Sequence, residues 1–357
     1  MTKKVLLIGG GTGGHIFPLR NLADEFKKQN IDVELVVADQ KLDKKIVQEN
    51  FSDINTHFFQ TGKIRRYFSL HNFVDIFRIV AACWKARRWL RKINPDIIFF
   101  KGGFVGFPFL VAAKLLMRLP GKIIAHESDI SAGMLTKLAK RWADLSFSNF
   151  GEHPLPLFYS PQIEHQKPKV ENFPTPLSTK GATRQSQSRK KILVFGGSQG
   201  AQFLNDVLRE NLPSLLQTYE ITLIAGHKKQ IDFHHRYFHQ KEFVSANDIA
   251  QLILVSDLII ARGGANSLFE IIAAQRPSII IPLPSVARNH QYHNAKYFSD
   301  RNLCHILEQN SQTKSLLPKA IQEAFHDETM QKKLKEKNIH NASKEIVQNI
   351  LQIRGNP

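Results

Sequence analysis

His15 stands directly behind a run of glycines, Gly9-Gly10-Gly11-Thr12-Gly13-Gly14, which itself follows the short apolar stretch Val5–Ile8. A buried strand that hands over through glycines to a helix gathers backbone N–H groups and the positive end of the helix dipole at one spot, a place suited to phosphate. A histidine in the first helical turn is also biased toward the neutral imidazole, the form that takes a proton from an attacking hydroxyl. A histidine that merely caps or packs at a turn is the plainer reading. The pattern recurs: residues 190–201, KKILVFGGSQGA, repeat residues 3–14, KKVLLIGGGTGG, at an offset of 187. A third glycine turn, Arg262-Gly263-Gly264-Ala265-Asn266-Ser267, follows the apolar run Leu258–Ala261. Glu270 lies about one helical turn further on, where a carboxylate can accept hydrogen bonds from a ribose diol; acids near helix N-termini are also common for electrostatic reasons alone. Asn289-His290-Gln291-Tyr292 adds amide and imidazole donors suited to sugar hydroxyls.

Gly9, Gly11 and Gly14 also satisfy G-x-G-x-x-G, and Asp39 ends the second apolar run, as an NAD-dependent dehydrogenase would require. The second copy, Gly196-Gly197-Ser198-Gln199-Gly200, breaks that fingerprint, and His15 and Pro18 crowd the first.

These turns need parallel strands to hold them. Val5–Ile8, Val33–Ala38, Ile97–Phe100 and Ile123–His126 read as strands, alternating with helices over Pro18–Gln29, Asn72–Lys92, Pro108–Leu116 and Gly133–Trp142. Strands resume at Ile192–Phe195, Ile221–Ile224, Leu258–Ala261 and Ser278–Ile281. Six of the 16 prolines fall between Pro154 and Pro176 and a polar stretch follows, so 155–188 reads as a connection. The expected organisation is an α/β chain of two Rossmann-like domains with parallel sheets facing across a cleft: 1–154, the connection, 189–340, and a helical tail over 341–357.

The chain has 357 residues, 42% of them hydrophobic, enough for two cores. Cys83 and Cys304 stand alone, without a CxxC or His/Cys cluster, which argues against disulfide scaffolds and zinc sites and fits a reducing cytoplasm. The first apolar stretch is too short for a signal peptide, and no uncharged run is long enough to span a bilayer. A net charge of +18 favours anionic partners without choosing among nucleic acid, membrane and phosphate. Between Lys63 and Lys92 there are nine Lys/Arg and one acid, Asp75. Phe73, Phe77, Val80 and Trp84 follow helical spacing there, which reads as a stripe covering a sheet. The sharper expectation rests part of this helix, with Trp89 and its basic neighbours, on an anionic leaflet.

GGGTGGHIFP at 9–18, KGGFVGFP at 101–108, HESD at 126–129, GGSQGAQFLN at 196–205, GGANSLFE at 263–270 and HQYHNA at 290–295 occur in this order. Together, across about residues 3–300, they closely resemble the MurG family of glycosyltransferases. The resemblance implies the two-domain GT-B fold. It also implies inverting transfer of N-acetylglucosamine from UDP-GlcNAc to the 4-hydroxyl of MurNAc in undecaprenyl-pyrophosphoryl-MurNAc-pentapeptide (lipid I), giving lipid II for peptidoglycan. By matching position it places Ser198 at a phosphate, Val244 at uracil through its main chain, Ala265, Asn266 and Ser267 along the diphosphate, Glu270 at the ribose and Gln291 at the sugar. Asn205 matches a further polar position. Thr12, Gly13 and Gly14 complete the donor site, while His15 and Glu127 face the acceptor, His15 being the first choice for general base. No cofactor or metal is implied, and the chain contains no Asp-x-Asp. The implied partners are UDP-GlcNAc, lipid I, an anionic membrane surface on the cytoplasmic side and other cell-wall synthesis proteins, with no nucleic acid.

Three positions depart from the family pattern. Asp129 replaces a frequent Asn and Phe104 a frequent Tyr. The linker signature with its phosphate-binding Arg is represented by Pro174-Thr175-Pro176-Leu177-Ser178, with Lys180 and Arg184 nearby. The rival readings are a UDP-GlcNAc epimerase of the same fold and the NAD-dependent oxidoreductase.

Overall fold

The computed structural model describes residues 3–62, 71–117, 121–131, 134–158, 189–197, 200–284 and 289–352. The chain divides into two compact units, Met1–Tyr159 with Asn341–Pro357, and Ser160–His340.

The first unit contains β1 (Lys4–Ile8), α1 (Gly13–Lys28), β2 (Asp32–Ala38), α2 (Lys41–Asn50), β3 (Asn55–Phe59), α3 (His71–Ile93), β4 (Ile97–Phe100) and α4 (Gly106–Val111). A π-helical turn over Ala112–Met117 leads to β5 (Lys122–Glu127), α5 (Met134–Trp142) and β6 (Leu145–Ser148). The second unit runs β7 (Lys190–Phe195), α6 (Gln202–Leu215), β8 (Tyr219–Ile224), β9 (Phe238–Lys241), α7 (Ala246–Val255), β10 (Leu258–Ala261) and α8 (Ala265–Ala273). It continues through β11 (Ser278–Ile280), α9 (His290–Ser299), β12 (His305–Ile306), α10 (Thr313–His326) and α11 (Glu328–Glu336), and α12 (Ser343–Gln352) closes the chain.

Each unit holds one six-stranded sheet, β3-β2-β1-β4-β5-β6 and β12-β11-β10-β7-β8-β9. All pairings are parallel. Counted within each unit the order is the same, 3-2-1-4-5-6, the doubly wound Rossmann arrangement. Strand order reverses between β1 and β4 in the first unit and between β7 and β10 in the second. Ligands of this fold sit at that reversal, beyond the carboxyl ends of the strands.

Alternate residues of β1 explain why the first sheet is covered on both sides. Val5 and Leu7 join a cluster with Leu19, Phe26 and Val33, whereas Leu6 and Ile8 join Ala86, Leu90, Phe100 and Phe109 on the other face. Ile346, Val347 and Ile350 of α12 belong to the first of these clusters. The tail that reads as a separate segment in sequence therefore completes the amino-terminal core. The Ala342 N–H donates to the Pro156 carbonyl at 2.8 Å, and Asn341 bonds the Phe158 carbonyl. Leu157 and Phe158, at the start of the expected connection, are buried in the same unit; the remainder of that connection, 159–188, lies outside the described residues.

Three local expectations are corrected. The first helix begins at Gly13 rather than Pro18, because Thr12 takes an extended N-cap conformation (φ −152°, ψ 154°) and the glycines already turn helically; Pro18 sits inside the helix. On α3 the core-facing residues are Ala82, Cys83, Ala86 and Leu90. Of the stripe read as core, Phe77 is 76% exposed and Val80 and Trp84 are each 52% exposed, while the Phe73 side chain lies outside the described residues. Trp89, expected at a leaflet, packs against Phe59 (centroids 5.2 Å apart) and Phe109 (6.4 Å). Among the described residues no helix is long and apolar enough to cross a membrane.

Candidate active site

In the first unit, α1 opens at Gly13, so Gly13, Gly14 and His15 form its first turn and the His15 N–H donates to the Thr12 carbonyl at 3.1 Å. The turn before it is locked in place. Asp43, fully buried in the first turn of α2, accepts from the Gly11 N–H at 2.9 Å and the Ala38 N–H at 3.1 Å through one oxygen. Gly103, at φ +82°, lies so near the first turn that a Cβ would stand 2.4 Å from the Gly10 carbonyl oxygen. The Phe104 ring comes to 2.8 Å from where a Cβ on Gly11 would be. The turns after β1 and β4 therefore meet backbone to backbone. Gly102 floors the His15 imidazole, two of whose ring atoms are 3.2 Å from the position a Cβ would take.

Glu127 ends β5, one strand beyond β4, and is buried. Its Oε1 accepts the Asp129 N–H at 3.1 Å, which fixes the turn between them. Beside it lie three residues quoted in the motifs but given no role from sequence. Lys101 is 1% exposed, and its Nζ donates to His126 Nδ1 at 2.9 Å and to Ser128 Oγ at 2.6 Å. His126 Nε2 meets the Leu155 carbonyl at 3.1 Å, so Nε2 carries the ring proton and Nδ1 accepts. Burial pulls Lys101 down to about 7, against the raising pull of Glu127 and Asp129, and holds His126 well below the usual histidine range. A lysine closing an otherwise apolar run, IIFFK, is the cue that marks it in sequence. Asp39, the ribose ligand of the dehydrogenase reading, instead pairs with Lys44 at 2.5 Å and accepts from Gln60 at 2.6 Å.

In the second unit, β7 and β10 pair directly, so the turns beginning at Gly196 and Arg262 lie side by side at the strand ends. Ser198 falls outside the described residues. Gly264 caps α8 with φ −68° and ψ 131°, and Ala265, Asn266 and Ser267 form the first turn, whose N–H groups a helix leaves without intrahelical partners. A Cβ on Gly197 or on Gly264 would meet nothing within 4 Å. Among the described residues, open space therefore adjoins both turns. Glu270 is half-buried in the next turn of α8, and burial pushes its carboxyl up to about 8.

Gln291, in the first turn of α9, brings its carbonyl oxygen to 2.3 Å from the position of a Cβ on Gly263, and its Oε1 accepts the Leu283 N–H at 3.0 Å. Asn294, fully buried, donates to the Gly263 carbonyl at 3.1 Å and pins the two elements together. Arg262 is buried and donates to the Ile281 carbonyl at 2.9 Å and Gln309 Oε1 at 2.7 Å, and burial lowers its guanidinium to about 10. The fold thus gathers Ala265, Asn266, Ser267, Glu270 and Gln291. Val244, half-buried, lies between β9 and the Ser245 cap of α7. Asn205 is buried on α6, and its amide nitrogen is committed to the Ala225 and Lys229 carbonyls at 3.0 and 2.9 Å, shaping the turn after β8. Asp43, Lys101, His126, Arg262 and Asn294 are the participants that sequence reasoning passes over.

Residues 5–148 match the glycosyltransferase family 28 N-terminal domain, and residues 191–350 match the glycosyltransferase family 28 C-terminal domain. A Bacillus cereus protein called UDP-N-acetylglucosamine--N-acetylmuramyl-(pentapeptide) pyrophosphoryl-undecaprenol N-acetylglucosamine transferase 2 is 33% identical, with 98% of each chain covered. A Legionella pneumophila transferase of the same description, without the numeral, is 32% identical over 97% of this chain and 96% of its own. The crystal structure of Acinetobacter baumannii MurG aligns with a TM-score of 0.72 at 21% identity, covering 99% of this chain and all (100%) of that one, a likeness of fold. With both domains matched in order and such relatives aligned along nearly the whole length, the chain belongs to the MurG glycosyltransferases of glycosyltransferase family 28.

Proposed function

We infer that this protein transfers N-acetylglucosamine from UDP-GlcNAc to the MurNAc 4-hydroxyl of lipid I, with inversion at the anomeric carbon, forming lipid II for peptidoglycan. The observation that carries this reading is the open space beside Gly197 and Gly264, at the strand-order reversal of a unit whose α8 N-terminus adjoins it. The full-length relatives supply the identity of donor and acceptor. As the bond to the leaving diphosphate breaks, negative charge grows on its oxygens, and the first-turn amides at Ala265, Asn266 and Ser267 are placed to stabilise it. Glu270 hydrogen-bonds the ribose diol. Gln291 offers its amide to the sugar. On the other unit, His15 accepts the proton of the attacking hydroxyl, and Glu127 orients the histidine or takes the proton in its place. Thr12, Gly13, Gly14 and Asp129 line that side.

Labelled GlcNAc should move from UDP-GlcNAc into a butanol-extractable lipid only when lipid I is supplied. Conversion of donor without acceptor would instead identify an epimerase.

Phe77, Val80 and Trp84 point outward on α3 beside Arg78, Lys85, Arg87, Arg88 and Arg91, and Leu115 is 61% exposed on the turn packed against that helix. This surface supports peripheral attachment to an anionic membrane on the cytoplasmic side, where a lipid-linked acceptor is reached and other cell-wall enzymes assemble. Phe77→Ser with Trp84→Ser should release the protein from anionic vesicles, and binding that survives the double change would remove this assignment.

A further inference from the structure

The buried lysine under the acceptor-side turns has no part in the chemistry above, yet its bonds join the strand end that leads to His15 with the turn after the strand that ends in Glu127. Lys101 follows β4, and its backbone N–H donates to the Ile8 carbonyl at the end of β1, 3.0 Å away. The next residue, Gly102, floors the His15 ring. The Lys101 side chain runs the other way, to His126 and Ser128, the two neighbours of Glu127 in sequence. His126 is anchored in turn on the Leu155 carbonyl. One residue therefore ties the floor of His15 to the turn that presents Glu127.

We propose that Lys101 is a positioning residue for the transfer: its side-chain nitrogen, held between His126 Nδ1 and Ser128 Oγ, sets the β5 turn bearing Glu127 against the β4 turn beneath His15. The proposal rests on His15 and Glu127 being the acceptor-side pair.

Solvation chemistry favours this role over a purely structural one. A lysine buried to 1% exposure and bonded to a neutral imidazole and a hydroxyl gains little for the fold, since an apolar side chain of similar length is cheaper to bury. Its cation also acts on its surroundings. The titratable and charged groups around it are His126 and Glu127 on β5, Asp129 just after, Lys140 on α5, and His15 on α1 over Gly102. Where Lys101 is protonated, its charge favours the ionised form of Glu127, which is its proton-accepting form.

The test is Lys101→Met in the full-length enzyme, assayed with lipid I and UDP-GlcNAc beside Ser128→Ala and His15→Ala. The expected Lys101→Met enzyme melts with the wild type, keeps its KM for UDP-GlcNAc, loses about tenfold or more in kcat, and has the acid limb of its kcat/KM profile moved to higher pH. Ser128→Ala, which leaves the lysine in place, should show a smaller kcat loss with the same unchanged donor KM. A folded Lys101→Met that turns over at the wild-type rate with an unmoved acid limb overturns the proposal. Should that variant fail to fold, an unchanged kcat in Ser128→Ala overturns it instead. Loss of activity in His15→Ala beside a normal Lys101→Met removes the lysine's role alone. Full activity in His15→Ala removes the base assignment and the proposal with it.

Discussion

The two units share a strand order but differ in what borders the glycine turns at the strand-order reversal. In the amino-terminal unit the turn is filled by the protein itself: Asp43 holds the Gly11 N–H, Gly103 abuts Gly10, and the Phe104 ring covers Gly11. In the carboxyl-terminal unit Gly196 and Gly200 are packed as closely, against Ala201 and the Ala225 carbonyl, but a Cβ on Gly197 or Gly264 would meet nothing within 4 Å among the described residues. A diphosphate at the Gly9–Gly14 turn would face the Asp43 carboxylate, whereas at the Gly264 turn it would face the helix amides that open α8. In the proposed reading, the Gly9–Gly14 turn is a rigid shelf for an imidazole and the Gly264–Ser267 turn an anion cradle. The same contrast counts against a dinucleotide at Gly9–Gly14, because Asp39 is already paired with Lys44.

Several changes would break or sharpen the contrast. His15→Ala should reduce kcat by 10²–10⁴-fold, the contribution usual for a positioned base, with the UDP-GlcNAc KM little altered; steady-state kinetics with lipid I reads both. Gly264→Val puts a side chain into the open cradle. Its backbone angles suit valine, so the fold should lose no more than about 1 kcal/mol, while the donor KM rises about tenfold or more. Gly103→Ala makes the opposite case. At φ +82°, with a carbonyl oxygen 2.4 Å from the new Cβ, the fold itself should lose about 2 kcal/mol or more in denaturant melts, whatever ligand is present.

Glu270→Gln has the smallest expected effect, and it depends on pH. The Glu270 carboxyl, with an ordinary value of 4.5, is pushed by burial to about 8 in the folded protein. Between those values the folded state keeps a proton that the unfolded chain has released, so this group's contribution to stability falls as pH rises across the window. Glutamine removes that loss. Ligand-free Glu270→Gln should therefore gain stability over the wild type between pH 5 and pH 8, on the order of 1 kcal/mol, in thermal melts at the two pH values.

Much of the scaffold is legible in sequence because buried parallel strands are continuous apolar runs. Eight strands are readable in this way, and the four that are not, β3, β6, β9 and β12, are the sheet edges. Edge strands such as Phe238–Lys241 (FHQK) are short and partly solvated, so their composition is mixed. The glycine turns and the first helical residues after them are equally visible, since they need particular residue types at fixed spacing. What sequence does not disclose is reach. Asp43 lies 32 residues from Gly11, and Lys101 lies 25 residues from His126. Neither pairing leaves a local signature. The α3 stripe misleads for a related reason: spacing shows that Phe77, Val80 and Trp84 share a face, but small Ala82 and Ala86 are what allow the opposite face to approach the sheet.

The most direct test of the division of labour is the position of UDP in a crystal of the protein soaked with it. The account predicts density for the diphosphate at the Gly264–Ser267 turn with the ribose against Glu270. Density at the Gly9–Gly14 turn, with the second unit's cradle empty, would contradict it.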